Sequence, residues 1–500
     1  MQFFIDADTS VKKVHNFWNH IHFHPTDAIE DAWGQRILDR VALDGAAQTV
    51  RMYAMLEDIV TISPDGKLQY DFSLNDTRLD YMLSKGFDIL LSYNFIPPCI
   101  AADPEELATV CKNKTRYKGK FIITSPPKSY ALWEEICREY TRHIVQRYGI
   151  EVVSKWELQC YNEPDISCFF MRDETDIQKR AAEYCKLYDA FETGVLSVSR
   201  ELCIGGPALA MHLEFLEYFL NHVKRNSKRL DFICYHTYGP MPYQVHNGSR
   251  PIHVRNTFEK AEMVRAVAKK CGFPNTRLIA DEWGAIGHGF VDIEEYPQMI
   301  FREKAEYAAY FVKMLTLLDQ QDFTPDKMLI CLSGQHEMTR DFSGFRNLFT
   351  LNFFPKPLYH AYALSAKLGC DKLACDKPYA DTTYSIFPTR REDGSVAVLF
   401  AHCADDFSDI AEEEISLTFH GIQGNVRLWK IDCETANAYA AFLKIGAPKD
   451  LSTEQIRHIQ ERAACRPVEI GSLPESQIVQ FTAKPNSVTL VEIFPRTEFT

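Results

Sequence analysis

Eight short apolar, β-branched runs alternate with longer amphipathic stretches through the first two-thirds of this 500-residue chain, and that alternation limits the fold more than any other feature. Repeated βα units lay parallel strands side by side and cover them with helices. The candidate strands are residues 13–21, 49–55, 87–95, 153–163, 202–208, 231–239, 277–285 and 328–334. Between two of them lies 129–149, where Leu132, Ile136, Tyr140, Ile144 and Tyr148 recur at helical spacing and share a face. The stretches 181–201, 211–226, 258–272 and 302–321 follow the same rule. Eight such units over about 330 residues favour an α/β chain folded as a (β/α)8 TIM barrel over an open doubly wound sheet.

Beyond about residue 365 the pattern changes to short alternating runs broken by DG, HG and PN turns, the signature of a C-terminal β-sandwich. One helical insert, 453–465, interrupts it. The expected domains are a catalytic barrel over 13–345 and a sandwich built from 360–500, with residues 1–12 contributing an N-terminal strand. No low-complexity linker separates them, so close packing is expected.

Composition removes several classes of function. The 55 Lys and Arg against 68 Asp and Glu give a net charge of −13, and no cationic run exists to neutralise phosphates, so nucleic acid is not an expected partner. No window approaches 18 uninterrupted apolar residues, which argues against a membrane span. The start MQFFIDADTSVKK puts acids where a secretion signal needs a basic segment. The 15 cysteines, odd in number and without a CxxC pair, read as reduced thiols, and several sit in apolar runs. A cytoplasmic location is the expectation.

The C-terminal ends of barrel strands carry the chemistry of this fold. The fourth run ends in WELQCYNEPD (156–165), with Asn162 and Glu163 at the strand edge and Pro164 stopping it. The seventh ends in LIADEWGA (278–285), with Asp281 and Glu282 where the chain leaves the barrel. Strands four and seven lie across an eight-strand ring from one another. Facing carboxylates there suit glycoside hydrolysis, in which one group protonates the leaving oxygen and the other attacks or stabilises the anomeric carbon. Other chemistries lack their residues. His20, His22 and His24 alternate along one segment without an acidic or Cys partner at ligand spacing, so no metal is expected, and one of them should line the pocket. The GGPA run (205–208) has neither GxGxxG nor a P-loop Lys, so no nucleotide cofactor is implied. Strand ends without lysine disfavour Schiff-base chemistry.

With YNEPD, GGPA, YHTYG (235–239) and the Glu282 strand in view, the sequence resembles family 39 of the glycoside hydrolases, a clan A family of retaining enzymes that includes β-xylosidases and α-L-iduronidases. The segments 92–101, 125–136, 143–149 and 353–364 extend the resemblance over nearly the whole chain. The resemblance implies that Glu163 is the general acid/base and Glu282 the nucleophile. It implies further that Asn162 holds the sugar 2-hydroxyl, that His236 contacts the sugar, that Tyr238 orients the nucleophile, and that Arg51 keeps Glu282 ionised from beneath. A retaining mechanism then calls for carboxyls about 5 to 5.5 Å apart and a Glu163 pKa raised toward about 6 to 7.

Departures from the family bear on the substrate. Tyr53 stands where the xylosidases have histidine, and the eighth run, ICLSGQHEM (330–338), lacks the tryptophan that supplies a sugar platform. Trp283 is the candidate substitute platform and Glu337 the candidate hydroxyl-binding carboxylate. An iduronidase would need a cation for the uronic carboxylate, and Arg302 and Arg346 are the candidates. The expected activity is release of xylose from the non-reducing end of xylo-oligosaccharides. The same machinery on an α-L-arabinoside, β-glucoside or uronide is the alternative, followed by a glycan-binding protein without turnover. Small oligosaccharides are the expected partners, and the family resemblance admits a homo-oligomer through the sandwich.

Overall fold

A computed structural model of the chain describes residues 1–23, 29–108, 122–288, 291–321, 324–332 and 338–495. Eight parallel strands close into a barrel: β1 (His20–Phe23), β2 (Thr49–Tyr53), β3 (Asp88–Tyr93), β4 (Glu157–Cys160), β5 (Cys203–Leu209), β6 (Phe232–Tyr238), β7 (Arg277–Gly284) and β8 (Lys327–Leu332). Each pairs with its sequence neighbour, and β8 pairs with β1 to complete the ring. The covering helices are α1 (Ala32–Leu43), α2 (Ser73–Ser84), α3 (Tyr130–Tyr148), α4 (Ile177–Leu196), α5 (Leu213–Arg225), α6 (Arg255–Cys271), α7 (Ala305–Asp319) and α8 (Pro357–Ser365). Leu90, Phe232, Ile279 and Leu329 fill the inside of the ring, a packed core that leaves the strand ends as the place for a site.

Two boundaries differ from the sequence reading. Residues 13–21 are not one strand. Gln2–Lys13 belongs to the C-terminal sheet, where it runs parallel to Glu413–His420 and antiparallel to Asp371–Cys375, and the barrel strand begins only at His20. Phe17 and Trp18 fill the crossing between the two units, where Trp18 meets Phe387 edge-on at 5.7 Å. The eighth helix, α8, follows β8 and stacks Tyr362 on Phe311 of α7 at 4.2 Å, so barrel structure runs past residue 345. Along α3 the buried stripe is Trp133, Ile136, Cys137, Tyr140, Thr141 and Ile144, while Leu132 and Tyr148 lie at its half-buried margin.

The C-terminal strands form a mixed sheet that encloses its own core of Phe3, Ile5, Ile386, Val398, Phe400 and Ile415. Its strand Val396–His402 is buried on both faces. Val396, Val398 and Phe400 point into that core, and Ala397, Leu399 and Ala401 join the barrel's. Helix α7 is correspondingly apolar nearly all round, as a helix buried between two layers must be. Its Lys313 ends on the carbonyls of Thr382 and Cys403, both at 2.8 Å. The two units are therefore joined through a continuous core. No helix among the described residues is long and apolar enough to cross a membrane.

The GGP run is a packing requirement. A Cβ on Gly205 would overlap the Phe232 carbonyl oxygen, and one on Gly206 would meet the Tyr184 hydroxyl, which donates to the Cys160 carbonyl at 3.0 Å. Gly205 lets β5 lie close against β6, and Gly206 lets it close on α4 at the end of β4.

Candidate active site

Strand β4 stops at Cys160, and the next residues turn sharply: Tyr161 and Glu163 both adopt left-handed backbone, with φ of 66° and 47°. Such φ values cost non-glycine residues energy and are kept only where surroundings enforce them. Here the Tyr161 N–H donates to the Tyr93 carbonyl and the Glu163 N–H to the Ala208 carbonyl, each at 3.2 Å. The buried Asp165 completes the restraint by accepting from the backbone N–H groups of Ala210, Met211 and His212 at 2.7 to 2.9 Å. The last residue of the NEPD run is thus structural, tying the β4 loop to the β5 loop, and it fixes the direction of Glu163.

Strand β7 delivers its carboxylates by a different device. Strict alternation would send Asp281 into the barrel and Glu282 out, because Ile279 faces in. A β-bulge intervenes: Ala280 pairs with Tyr235 and Glu282 with His236, so Asp281 is the extra residue. Bulges re-aim side chains at barrel rims. Both carboxylates consequently reach the barrel interior, and Trp283 is turned outward.

Arg51 of β2 lies between them, fully buried. Its Nη1 donates to Glu282 Oε1 at 2.9 Å, Nη2 to Asn162 Oδ1 at 2.8 Å, and Nε to Gln159 Oε1 at 2.9 Å, with Asp281 Oδ2 3.0 Å from Nη2. Gln159 Nε2 donates to Asp281 Oδ2 at 2.6 Å. A buried charge needs this many partners to be tolerated. Around Glu282, Tyr238 donates to Oε2 at 2.7 Å, Tyr53 to Oε1 at 3.3 Å, and His22 Nε2 is 3.5 Å from Oε1. His236 Nδ1 sits 2.6 Å from Glu163 Oε1 and 3.6 Å from Glu282 Oε2, bridging the two glutamates. Donor atoms of Glu163, His236 and Glu282 all lie within 4.8 Å of one another.

The two glutamates are driven apart in acidity. Burial raises Glu163, and the neighbouring charges of Glu282 and Asp165 push the same way against the pull of His236. Burial would also raise Glu282, but His236, His22, Arg51 and Arg346 outweigh it and hold that carboxylate well below the ordinary range. His236 is itself depressed by burial and then lifted to about 10 by Glu282, Asp281 and Glu163. One carboxyl retains a proton where the other stays an anion, the asymmetry that acid/base assignments rest on.

These groups form the floor of a cavity of about 590 Å3, which also includes Tyr53, Tyr238 and Arg346 in its lining. Several sequence expectations are corrected here. Trp283 offers no sugar platform: it is fully buried outside the barrel, donating its indole N–H to Tyr362 at 3.1 Å and stacked near Phe311 and Tyr310. His236 lies between the carboxylates as well as on the cavity wall. Arg302 is buried among the carbonyls of Gly344, Ile286 and His288, where it braces two loops and cannot meet a substrate. Arg346, in contrast, lines the cavity with Nη1 2.9 Å from the Tyr238 oxygen. Of the three alternating histidines, His22 reaches Glu282, while His20 turns to the Asn16 carbonyl and burial drives its pKa down to about 3. His24 and Glu337 lie outside the described residues. Gln159 and Cys331 were missed in the sequence. Gln159 is a polar residue at an inward position of an apolar strand, a signal available in WELQC; Cys331 is buried on β8, its thiol pushed up by burial, with a donor atom within reach of Glu282 and His22.

Among the described residues of this site, two sets of side chains could bring three ligand atoms together for a cation, His22–Glu282–Cys331 and Glu163–His236–Glu282. Glu282 is common to both, and Arg51 and Tyr238 already engage its two oxygens. The guanidinium supplies the positive charge that this carboxylate requires.

A (β/α)8 barrel with two close, unlike glutamates at the ends of its fourth and seventh strands has the fold and site of a glycoside hydrolase. The chain belongs to one family of them: residues 1–475 match the family model of glycosyl hydrolases family 39. It is 25% identical to a beta-xylosidase of Caldicellulosiruptor saccharolyticus over 99% of this chain and 98% of that one. A beta-xylosidase of Geobacillus stearothermophilus is 24% identical over 89% of this chain and 86% of its own. The crystal structure of a monomeric beta-xylosidase from Caulobacter crescentus CB15 superposes with a TM-score of 0.82 at 21% identity, covering 99% of this chain and all of that one (100%).

Proposed function

We propose that the chain is a retaining exo-β-xylosidase that removes xylose from the non-reducing end of a β-xyloside such as a short xylo-oligosaccharide. The observation that carries the mechanism is the approach of Glu163 and Glu282 oxygens to within 4.8 Å of one another, with acidities pushed in opposite directions. Inverting enzymes hold their carboxyls about 6.5 to 9.5 Å apart to seat a water, and retaining ones about 5 to 5.5 Å. The closeness here favours direct attack by Glu282. The sugar rests on the two full-length relatives named beta-xylosidase.

In this reading Glu163 gives its proton to the glycosidic oxygen as Glu282 attacks the anomeric carbon, forming a covalent glycosyl-enzyme and releasing the alcohol. Water then attacks that carbon, Glu163 takes the water's proton, and Glu282 leaves as carboxylate. Arg51, Tyr238 and Tyr53 hold Glu282 as an anion. Asn162, fixed by Arg51 through its Oδ1, keeps its amide N–H groups for the sugar 2-hydroxyl. The fourteen described cysteines are all free thiols, which supports a reducing, cytoplasmic setting. A homo-oligomer through the sandwich belongs to the same reading.

The test is hydrolysis of p-nitrophenyl β-xyloside, α-L-arabinoside, β-glucoside and α-L-iduronide by wild type and Glu282→Ala, with the first-formed anomer followed by NMR. Preferred turnover of the β-xyloside, retained configuration and loss in the variant are expected. Preference for another glycoside moves the sugar; an inverted product overturns the assignment of Glu282; absence of turnover on the whole panel leaves glycan binding without catalysis.

A further inference from the structure

The cavity has two unlike sides. Its polar end holds Glu282, Tyr238, Arg346 and Tyr53. The remainder spreads from Glu163 across the loops after β4, β5 and β6 to α6, and there the wall is Ile166, Phe169, Met211, Met241, Tyr243 and Met263. The acid in a retaining glycosidase stands beside the leaving oxygen, so the departing group occupies this second side.

Three of these residues are unusual for a folded surface. Met211, Tyr243 and Met263 are 66%, 53% and 45% exposed, large apolar side chains left open to solvent around one opening. A clustered apolar patch of this kind marks a binding surface where scattered ones do not. Met211 is moreover presented by a rigid frame: its N–H is held by Asp165 at 2.7 Å and its carbonyl by Lys260 Nζ at 3.1 Å. The backbone is pinned and the flexible thioether is left projecting. Methionines fill the contours of varied apolar ligands because they are unbranched and polarizable.

Three polar residues of the same wall are engaged by backbone groups, while Arg250 and Glu259 also line the cavity. The Lys260 ammonium donates to the Met211 carbonyl, Gln244 Oε1 accepts from the Met241 N–H at 2.8 Å, and Asn256 Oδ1 accepts from the His253 N–H at 3.1 Å. A sugar leaving group would bring hydroxyls against Met211, Tyr243 and Met263, where each loses water with no partner from those side chains' apolar surface.

We propose that the leaving-group side of this site takes an apolar, aromatic-sized aglycone, so that the preferred substrates are glycosides of hydrophobic alcohols or phenols and not chains of sugar. This rests on the reading of Glu163 as the acid and deepens it by naming the group that it releases.

The experiment compares kcat/KM for 2-phenylethyl β-xyloside, methyl β-xyloside and xylobiose, whose leaving groups are all unactivated alcohols, in wild type and Met211→Ser/Met263→Ser. The 2-phenylethyl glycoside should exceed xylobiose by about tenfold or more, the discrimination that a few buried methylenes supply. The ratio of 2-phenylethyl to methyl glycoside should fall about tenfold in the double variant. Equal or better use of xylobiose, or a ratio unchanged by the substitutions, overturns the proposal. Saturation-transfer NMR of free 4-methylumbelliferone decides it without any sugar: contact with wild type and its loss in the variant support the aglycone site, and no contact with wild type refutes it. Failure to cleave every xyloside, with the 4-methylumbelliferone contact intact, would sink the β-xylosidase reading and leave this one standing.

Discussion

Tyr238→Phe tests one bond in the acidity of Glu282, the proposed nucleophile. The phenol donates to Glu282 Oε2 at 2.7 Å, and His236 Nδ1 stands 3.6 Å from the same oxygen, beyond hydrogen-bonding range. Phenylalanine keeps the ring and removes this donor, together with the acceptor that Arg346 Nη1 meets at 2.9 Å. A hydrogen bond to a charged group contributes about 1.5 to 3 kcal/mol, and one pKa unit corresponds to about 1.36 kcal/mol. Glu282 should therefore rise by about one to two units from its depressed position. The assay is kcat/KM for p-nitrophenyl β-xyloside against pH: the acid limb, which on the proposed mechanism reports ionisation of Glu282 in the free enzyme, should move upward by that amount. Stability changes with the same sign. Because the folded pKa of Glu282 lies below its unfolded value, its ionisation stabilises the fold above the unfolded pKa of about 4.3, and that contribution is lost as pH falls through the folded pKa. The variant should be weaker than wild type at neutral pH and approach it in acid. An acid limb that does not move while kcat falls would show that the phenol acts on the sugar and not on the carboxylate.

Three further substitutions test other parts of the site. Glu163→Gln should lower kcat/KM for methyl β-xyloside by about 10² to 10⁴, and for the p-nitrophenyl glycoside far less, since that phenolate leaves without a proton; equal losses on both would remove Glu163 from the acid role. Arg51→Met leaves Asp281 and Glu282 buried without their cation and should cost about 3 to 5 kcal/mol in urea unfolding. A cost under about 1 kcal/mol would mean that the network rearranges around the loss. Trp283→Phe removes the bond to Tyr362 and part of the stacking behind the barrel, so stability should fall by about 1 to 3 kcal/mol while KM for the xyloside stays within about twofold. A large rise in KM would restore Trp283 as a sugar contact.

Much of the fold is written locally. β-Branched alternation and 3.6-residue periodicity are properties of single segments, which is why the strands around 49, 88, 203, 232 and 277 were legible. Boundaries were less so where the two units share chain. Nothing within 13–21 says that Lys13 pairs with Asp371 or that Trp18 meets Phe387, because both partners lie more than 350 residues away. The same holds for Trp283. An aromatic beside a strand-end carboxylate looks like a platform, yet one extra residue in β7 sets which of three consecutive side chains lines the cavity.

What the sequence alone determined is the inventory: eight βα units, a β-rich tail, and glutamates closing the fourth and seventh strands, all fixed by local spacing. Tertiary structure decided what those glutamates are. Glu163 and Glu282 are the same chemical group, and only burial beside His236 and Asp165 for one, and beside Arg51, Tyr238 and His22 for the other, separates an acid from an anion. Those partners come from four different strands or their ends, and electrostatic interaction falls with distance in space, not along the chain.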